Sequence, residues 1–233
     1  MTTAPTIPEQ QVRWTVVHAI LLLVGTQVLA VFWAAALYDP AEDWPPPIAR
    51  LVLGTAALWV GYGGGSLLVS WLRGNGPRPD YGARIALIDV PIGLAAGVGT
   101  QLVLVPLLYL PLNALFDLDS GESARSLIER VDGPLDVALL TLSAAIMAPL
   151  VEELFFRGLF LRSLGAVMPA WGAVVVSSVV FALVHVTPAV LPGLFLFGVV
   201  AALLVYRTGR LGSAWVMHVA FNATTLISLG LYS

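Results

Sequence analysis

Residues 135–164 read LDVALLTLSAAIMAPLVEELFFRGLFLRSL. The run exceeds the roughly 20 apolar residues that a bilayer-spanning helix needs. It nevertheless encloses Glu152, Glu153 and Arg157. An ionisable side chain at the centre of a span costs about 2.5–3.5 kcal/mol for Asp, Lys or Arg on insertion scales, so a charge kept there is a functional candidate. Adjacent residues on a helix point about 100° apart. The two glutamates therefore face different surroundings, one a central cavity and the other a neighbouring helix. Arg157 lies one turn further on and can pair with Glu153 or with Glu152.

Apolar runs of comparable length flank this one. They are Trp14–Tyr38, Arg50–Leu72, Ile85–Leu115, Trp171–Thr187, Ala189–Tyr206 and Leu211–Leu229, which makes about seven spans. Pro91, Pro106 and Pro111 interrupt the third run and Pro149 the fourth. A break at these prolines would add an eighth element. The composition agrees: 58% of the 233 residues are hydrophobic, 11% are charged, and the mean hydropathy is +0.90. A soluble domain carries about 25% charged residues, so lipid is the solvent for most of this chain. The expected fold is all-α, a polytopic transmembrane helical bundle of seven to eight spans. Residues 1–12 read as a disordered polar tail and 13–233 as a single integral membrane domain. The first apolar run is longer than a signal h-region and is read as retained.

Cysteine and lysine are both absent. The first absence excludes disulfides, thiolate metal ligands and a cysteine nucleophile. A net charge of −3 points to no nucleic-acid partner. With seven alternating spans, Arg13, then Arg73, Arg78 and Arg84, then Arg157 and Arg162, then Arg207 and Arg210 fall on one side. The acidic segments Asp39–Asp43 and Asp117–Asp132 fall on the other. The positive-inside rule then puts the N-terminus in the cytoplasm. The connection between the third and fourth runs is expected to form a short surface helix around Ser123–Val131. Gly61 with Gly65 and Gly93 with Gly97 have the small-xxx-small spacing that lets helices approach closely.

Two further clusters interrupt apolar runs. Phe181 and His185 are four residues apart, so the ring packs beneath the imidazole. His218 and Asn222 share the same spacing and present two hydrogen-bond donors from one face. Each pattern alone reads equally as polar glue between helices, and Glu152, Glu153 and Arg157 alone as a helix-locking ion pair. Occurring in three different runs of the C-terminal half, they read as one site. His18 belongs to no pattern and is read as interfacial.

Glu152-Glu153-x-x-x-Arg157, Phe181-x-x-x-His185 and His218-x-x-x-Asn222, in this order on three apolar segments, resemble the CPBP family, the CAAX-protease and bacteriocin-processing (Abi) proteins. The resemblance covers about 135–229 and implies an intramembrane endopeptidase with its catalytic core there. A carboxylate in an apolar site is a competent general base near neutral pH, which makes Glu152 the candidate base and His185 the group that orients the water. His218 and Asn222 are candidate oxyanion donors, and the resemblance implies the same roles. Glu153, Arg157 and Phe181 support them. Family members have been described both as metalloproteases and as glutamate-type enzymes. A divalent metal such as zinc, if used, would take Glu152, His185 and His218 as ligands, although no HExxH arrangement is present.

Two other readings compete. One is a non-catalytic immunity or scaffold protein of the same fold. The other is a proton-coupled transporter, which should show matching broken helices in its two halves; the first 130 residues hold no counterpart of the motifs. The expected substrate is a membrane-associated peptide or protein, and the expected location a prokaryotic cytoplasmic membrane. One geometric tension remains. If both runs span fully, His185 and Glu152 differ in depth by about 9 Å at 1.5 Å per residue, which tilt or a break at Pro149 would have to close.

Overall fold

A computed structural model describes residues 12–38, 46–116 and 118–231. All but the last residue of the tail read at 1–12, the whole of the acidic segment at 39–43, and Asp117 lie outside the described residues. Helices account for the architecture, and no strand occurs among the described residues. Among the described residues, five helices are long and apolar enough to cross a membrane: α1 (Val16–Leu37), α2 (Ile48–Arg73), α4 (Asp89–Phe116), α6 (Pro134–Gly165) and α8 (Pro188–Thr208). Between them lie the short α3 (Pro77–Tyr81), the surface helix α5 (Glu122–Ile128) and α7 (Ala170–Leu183). The chain closes with α9 (Leu211–Ser228).

Large apolar side chains cover the outside. Leu21, Val31, Phe32, Leu110 and Trp171 are each more than 60% exposed. Contiguous exposed apolar area on this scale marks a surface that water does not cover, and the protein is an integral membrane protein.

Helix α9 is too polar to qualify by composition, for a reason the packing supplies. Gly212, Ser213, Ala214, Met217, His218 and Ala220 are buried, and the helix contacts α4, α6 and α8. Protein surrounds most of its length, so His218 and the small polar residues of its first half are shielded from the outside of the bundle. Helix α7 is only 14 residues long and stops at Leu183. The fifth apolar run is thus not helical to its end, and His185 lies on the turn beyond.

The prolines do not break their helices. Each of α4 and α6 runs on through a π-helical turn, at Thr100–Leu104 and at Thr141–Met147. Pro106 and Pro149 follow these turns by two residues. A proline lacks an N–H and its ring collides with the carbonyl four residues back; a widened turn accommodates both.

Arginines gather at one end of the bundle. The Arg13 N–H donates to the Arg73 carbonyl, Arg162 Nη2 to the Tyr81 carbonyl at 3.0 Å, and Arg210 pairs with Asp89 at 2.6 Å. Arg157 departs from this grouping because it is buried within the bundle. Arg125 sits at the opposite end, on α5, paired with Asp119.

The widest helix–helix contact joins α4 to α9. A Cβ built on Gly93 would lie 2.6 Å from Val216 Cβ, and one on Gly97 would fall on the Met217 carbonyl oxygen. Both glycines thus hold α4 against the turn of α9 that carries His218. Forcing extra volume into a packed interface costs about 1–3 kcal/mol. Gly97→Ala is expected to lower the thermal midpoint in detergent, whereas Gly99→Ala, where the added methyl meets nothing within 4 Å, leaves it unchanged or raised.

Candidate active site

The four residues read as catalytic come together. Glu152, His185, His218 and Asn222 line one cavity of about 400 Å3. Helix α6 presents Ala144, Ala148 and Glu152 to it, spaced by four along one face. Helix α9 contributes His218, Phe221, Asn222 and Thr225 from a single face. His185 reaches the same cavity from the turn after α7. At the far end of the cavity lie Ser120 and Ser123, beside and on α5.

Glu153 points elsewhere. It is 1% exposed, and its Oε1 lies 3.1 Å from Arg157 Nη1 and accepts from His218 Nδ1 at 2.8 Å. The pairing of Arg157 is thus with Glu153. The guanidinium also stacks 4.4 Å above the Phe181 ring and donates to the Gly198 carbonyl at 3.4 Å. Its charge is neutralised by Glu153 and its flat face is covered by an aromatic ring, which lets an arginine remain fully buried. Glu152 is less enclosed, its side chain 17% exposed and 3.7 Å from His218 Nε2. One imidazole therefore stands between the two carboxylates.

His185 and Asn222 are each held by one backbone carbonyl. His185 Nδ1 lies 2.8 Å from the Phe181 carbonyl, which leaves Nε2 free of that bond, and the Phe181 ring packs against the imidazole at 5.0 Å. Val186 next to it has φ +53°, and the Thr187 N–H closes the turn on the His185 carbonyl at 2.7 Å. A β-branched residue in that region stores roughly 1–3 kcal/mol of strain, which collects at functional sites. Asn222 Nδ2 donates to the Ala144 carbonyl at 2.7 Å. That carbonyl is free for a local reason. In the π turn the Ala148 N–H bonds to Ser143, so the Ala144 carbonyl would next need an N–H at position 149. Residue 149 is proline and has none.

Sequence reasoning missed the contribution of α4. Gln101 and Tyr109 line the same cavity, and the Tyr109 hydroxyl donates to the Ala189 carbonyl. A lone amide inside an apolar run was the available signal for Gln101. The Asp89–Arg210 pair, which ties the start of α4 to the start of α9, was missed as well.

The metal alternative finds no support in this geometry. No three His, Asp or Glu side chains converge as a ligand set among the described residues.

Removing one partner of a buried ion pair costs about 3–5 kcal/mol. Glu153→Gln is expected to unfold at clearly lower temperature than wild type, because Arg157 is left uncompensated. Glu152→Gln, which breaks no hydrogen bond of the fold, is expected to keep the wild-type midpoint. Equal midpoints for the two variants would contradict the division of labour between the glutamates.

Comparison with protein families places residues 134–224 in match with the model described as Type II CAAX prenyl endopeptidase Rce1-like. Neither the curated proteins nor the solved structures yield a match. The matched stretch contains all three motifs and spans less than half of the chain; α1 to α5 lie outside it. Over residues 134–224 the chain is therefore similar to the Rce1-like type II CAAX prenyl endopeptidases, consistent with the CPBP resemblance that its three motifs carry.

Proposed function

We propose that the protein is an intramembrane endopeptidase that hydrolyses a peptide bond of a membrane-associated protein or peptide. The observation that carries this reading is the convergence of Glu152, His185, His218 and Asn222, from three separate helical segments, on one cavity inside a membrane bundle. Val105, Leu127, Leu194 and Phe221 also line it, a wall suited to the apolar flank of a membrane-bound peptide.

In this reading a water sits between Glu152 and the free Nε2 of His185. Glu152 takes one proton from it as the oxygen adds to the scissile carbonyl carbon. The negative charge that develops on the carbonyl oxygen is met by N–H donors. Asn222 has a second amide hydrogen beyond the one given to Ala144. His218 as an imidazolium keeps an N–H on Nε2 while Nδ1 donates to Glu153. Glu153 then fixes the orientation of His218, as a carboxylate orients a working imidazole elsewhere. Collapse of the tetrahedral species breaks the C–N bond, and the proton on Glu152 passes to the leaving amine. No step is routed through a metal. The whole described chain would act as one membrane unit, with the N-terminus on the arginine-rich, cytoplasmic side.

The test is cleavage of a quenched fluorescent peptide library by purified protein. Glu152→Ala and His185→Ala are expected to lose all cleavage, and a chelator to leave the wild type unaffected. Loss of one oxyanion donor lowers kcat by roughly 100- to 1,000-fold, which is the effect expected of Asn222→Ala. Cleavage by the Glu152 and His185 variants at the wild-type rate would overturn the reading.

A further inference from the structure

Helix α4 presents Gln101, Val105 and Tyr109 to the cavity that holds Glu152, spaced by four along one face. Tyr109 is fully engaged: its hydroxyl donates to the Ala189 carbonyl and accepts from the Gly193 N–H. Gln101 is not. Its Oε1 is buried without a partner, and its Nε2, also unbonded among the described residues, retains accessible surface. The polar side chains that α6 and α9 turn to the cavity each have a protein partner. Glu152 stands beside His218, His218 bonds to Glu153, Asn222 to the Ala144 carbonyl and Thr225 to the Phe221 carbonyl. Polar glue between helices requires a partner on the neighbouring helix, and Gln101 has none. Of the polar groups on these three helices, it alone brings to the cavity an amide that the fold does not use.

Three contacts fix the height of Gln101 in the bundle. Asp89 pairs with Arg210, a Cβ on Gly93 would meet Val216, and one on Gly97 would meet Ala220 and the Phe221 nitrogen. Helices α4 and α9 thus run in the same direction, and one more turn sets Gln101 level with about residue 224 of α9. That is about six residues, or about 9 Å at 1.5 Å per residue, beyond His218 toward α5. An extended peptide rises about 3.3 Å per residue, so the Gln101 amide meets its backbone about two to three residues from a scissile bond held at Glu152 and His218. The turn of α4 that carries Gln101 is its π-helical turn, Thr100–Leu104, and such turns are frequent at functional sites.

We propose that Gln101 is a substrate-binding residue whose Nε2–H donates to a backbone carbonyl of an extended substrate segment, about two to three residues from the scissile bond. The inference rests on the endopeptidase reading. In a helix each interior carbonyl is already taken by the N–H four residues on, so a helical segment has no acceptor to offer and the substrate must be unwound at this point. A bond to the backbone sets the register of the peptide and leaves the side chain at that position unrestricted. It lies away from the reacting atoms and is made equally in the bound substrate and in the transition state, so it contributes to binding rather than to rate.

The test uses the full-length protein and a peptide that the wild type cleaves, chosen from the quenched fluorescent library. Each peptide unit on either side of the scissile bond is replaced in turn by a trans-alkene isostere, which keeps the geometry and removes the carbonyl acceptor. Gln101→Met, which keeps the length of the side chain, and Gln101→Ala are compared with the wild type. Both variants are expected to raise KM for the parent peptide by roughly 10-fold while kcat stays within about twofold. One alkene, about two to three units from the scissile bond, is expected to raise the wild-type KM to the same extent and to add nothing in either variant. The thermal midpoint of Gln101→Met in detergent is expected at or above the wild-type value, because no protein hydrogen bond is lost. A lowered midpoint, a loss confined to kcat, or alkene penalties equal in wild type and variants overturns the proposal. Variants that cleave as the wild type does also overturn it and leave the endopeptidase reading intact. No cleavage by the wild type overturns that reading, and this inference with it.

Discussion

An arginine held inside an apolar bundle is the constraint from which the centre of this protein follows. Arg157 is 1% exposed and cannot shed its charge. It needs a carboxylate, and Glu153 supplies one; it needs its flat faces covered, and Phe181 and Phe197 cover them. These partners come from α6, α7 and α8, so the charge locks three helices together. Because Glu153 also accepts from His218, the same cluster reaches α9. A merely structural ion pair would end at Arg157. This one continues through an imidazole to a second, less enclosed carboxylate, Glu152.

The scaffold around this cluster works by removing things. Gly93 and Gly97 remove side chains, so that α4 lies against α9 beside His218. Pro149 removes an N–H, so that the Ala144 carbonyl is left for Asn222. The end of α7 at Leu183 removes the helix from His185, which then reaches the cavity from a turn held by the strained Val186. Each absence is inexpensive in lipid-buried helices only because a partner from another element fills it.

Much of the site was legible before the fold was known. The divergence of Glu152 and Glu153 followed from their adjacency on a helix, and they do face different cavities. The packing of Phe181 against His185 followed from their spacing. The short helix between the third and fourth runs appears at Glu122–Ile128, close to its expected place. Less was legible where local signals were read too coarsely. Thr187-Pro188 is a helix-ending signal, since the residue before proline avoids the helical region. Reading residues 171–187 as one span hid both the turn and the true position of His185.

Sequence alone determined that the chain folds in lipid and that its polar side chains form three sets, because hydropathy and helical spacing are local properties of the chain. It also determined which residues of each set share a face. Only the tertiary structure decided that Arg157 takes Glu153 rather than Glu152, that Glu153 holds His218, and that Asn222 rests on Ala144. Those choices depend on where one helix meets another. The contacts that set the meeting points, Gly97 on the Met217 carbonyl and Asp89 on Arg210, join residues about 120 positions apart, and no periodicity within a single helix encodes such a contact.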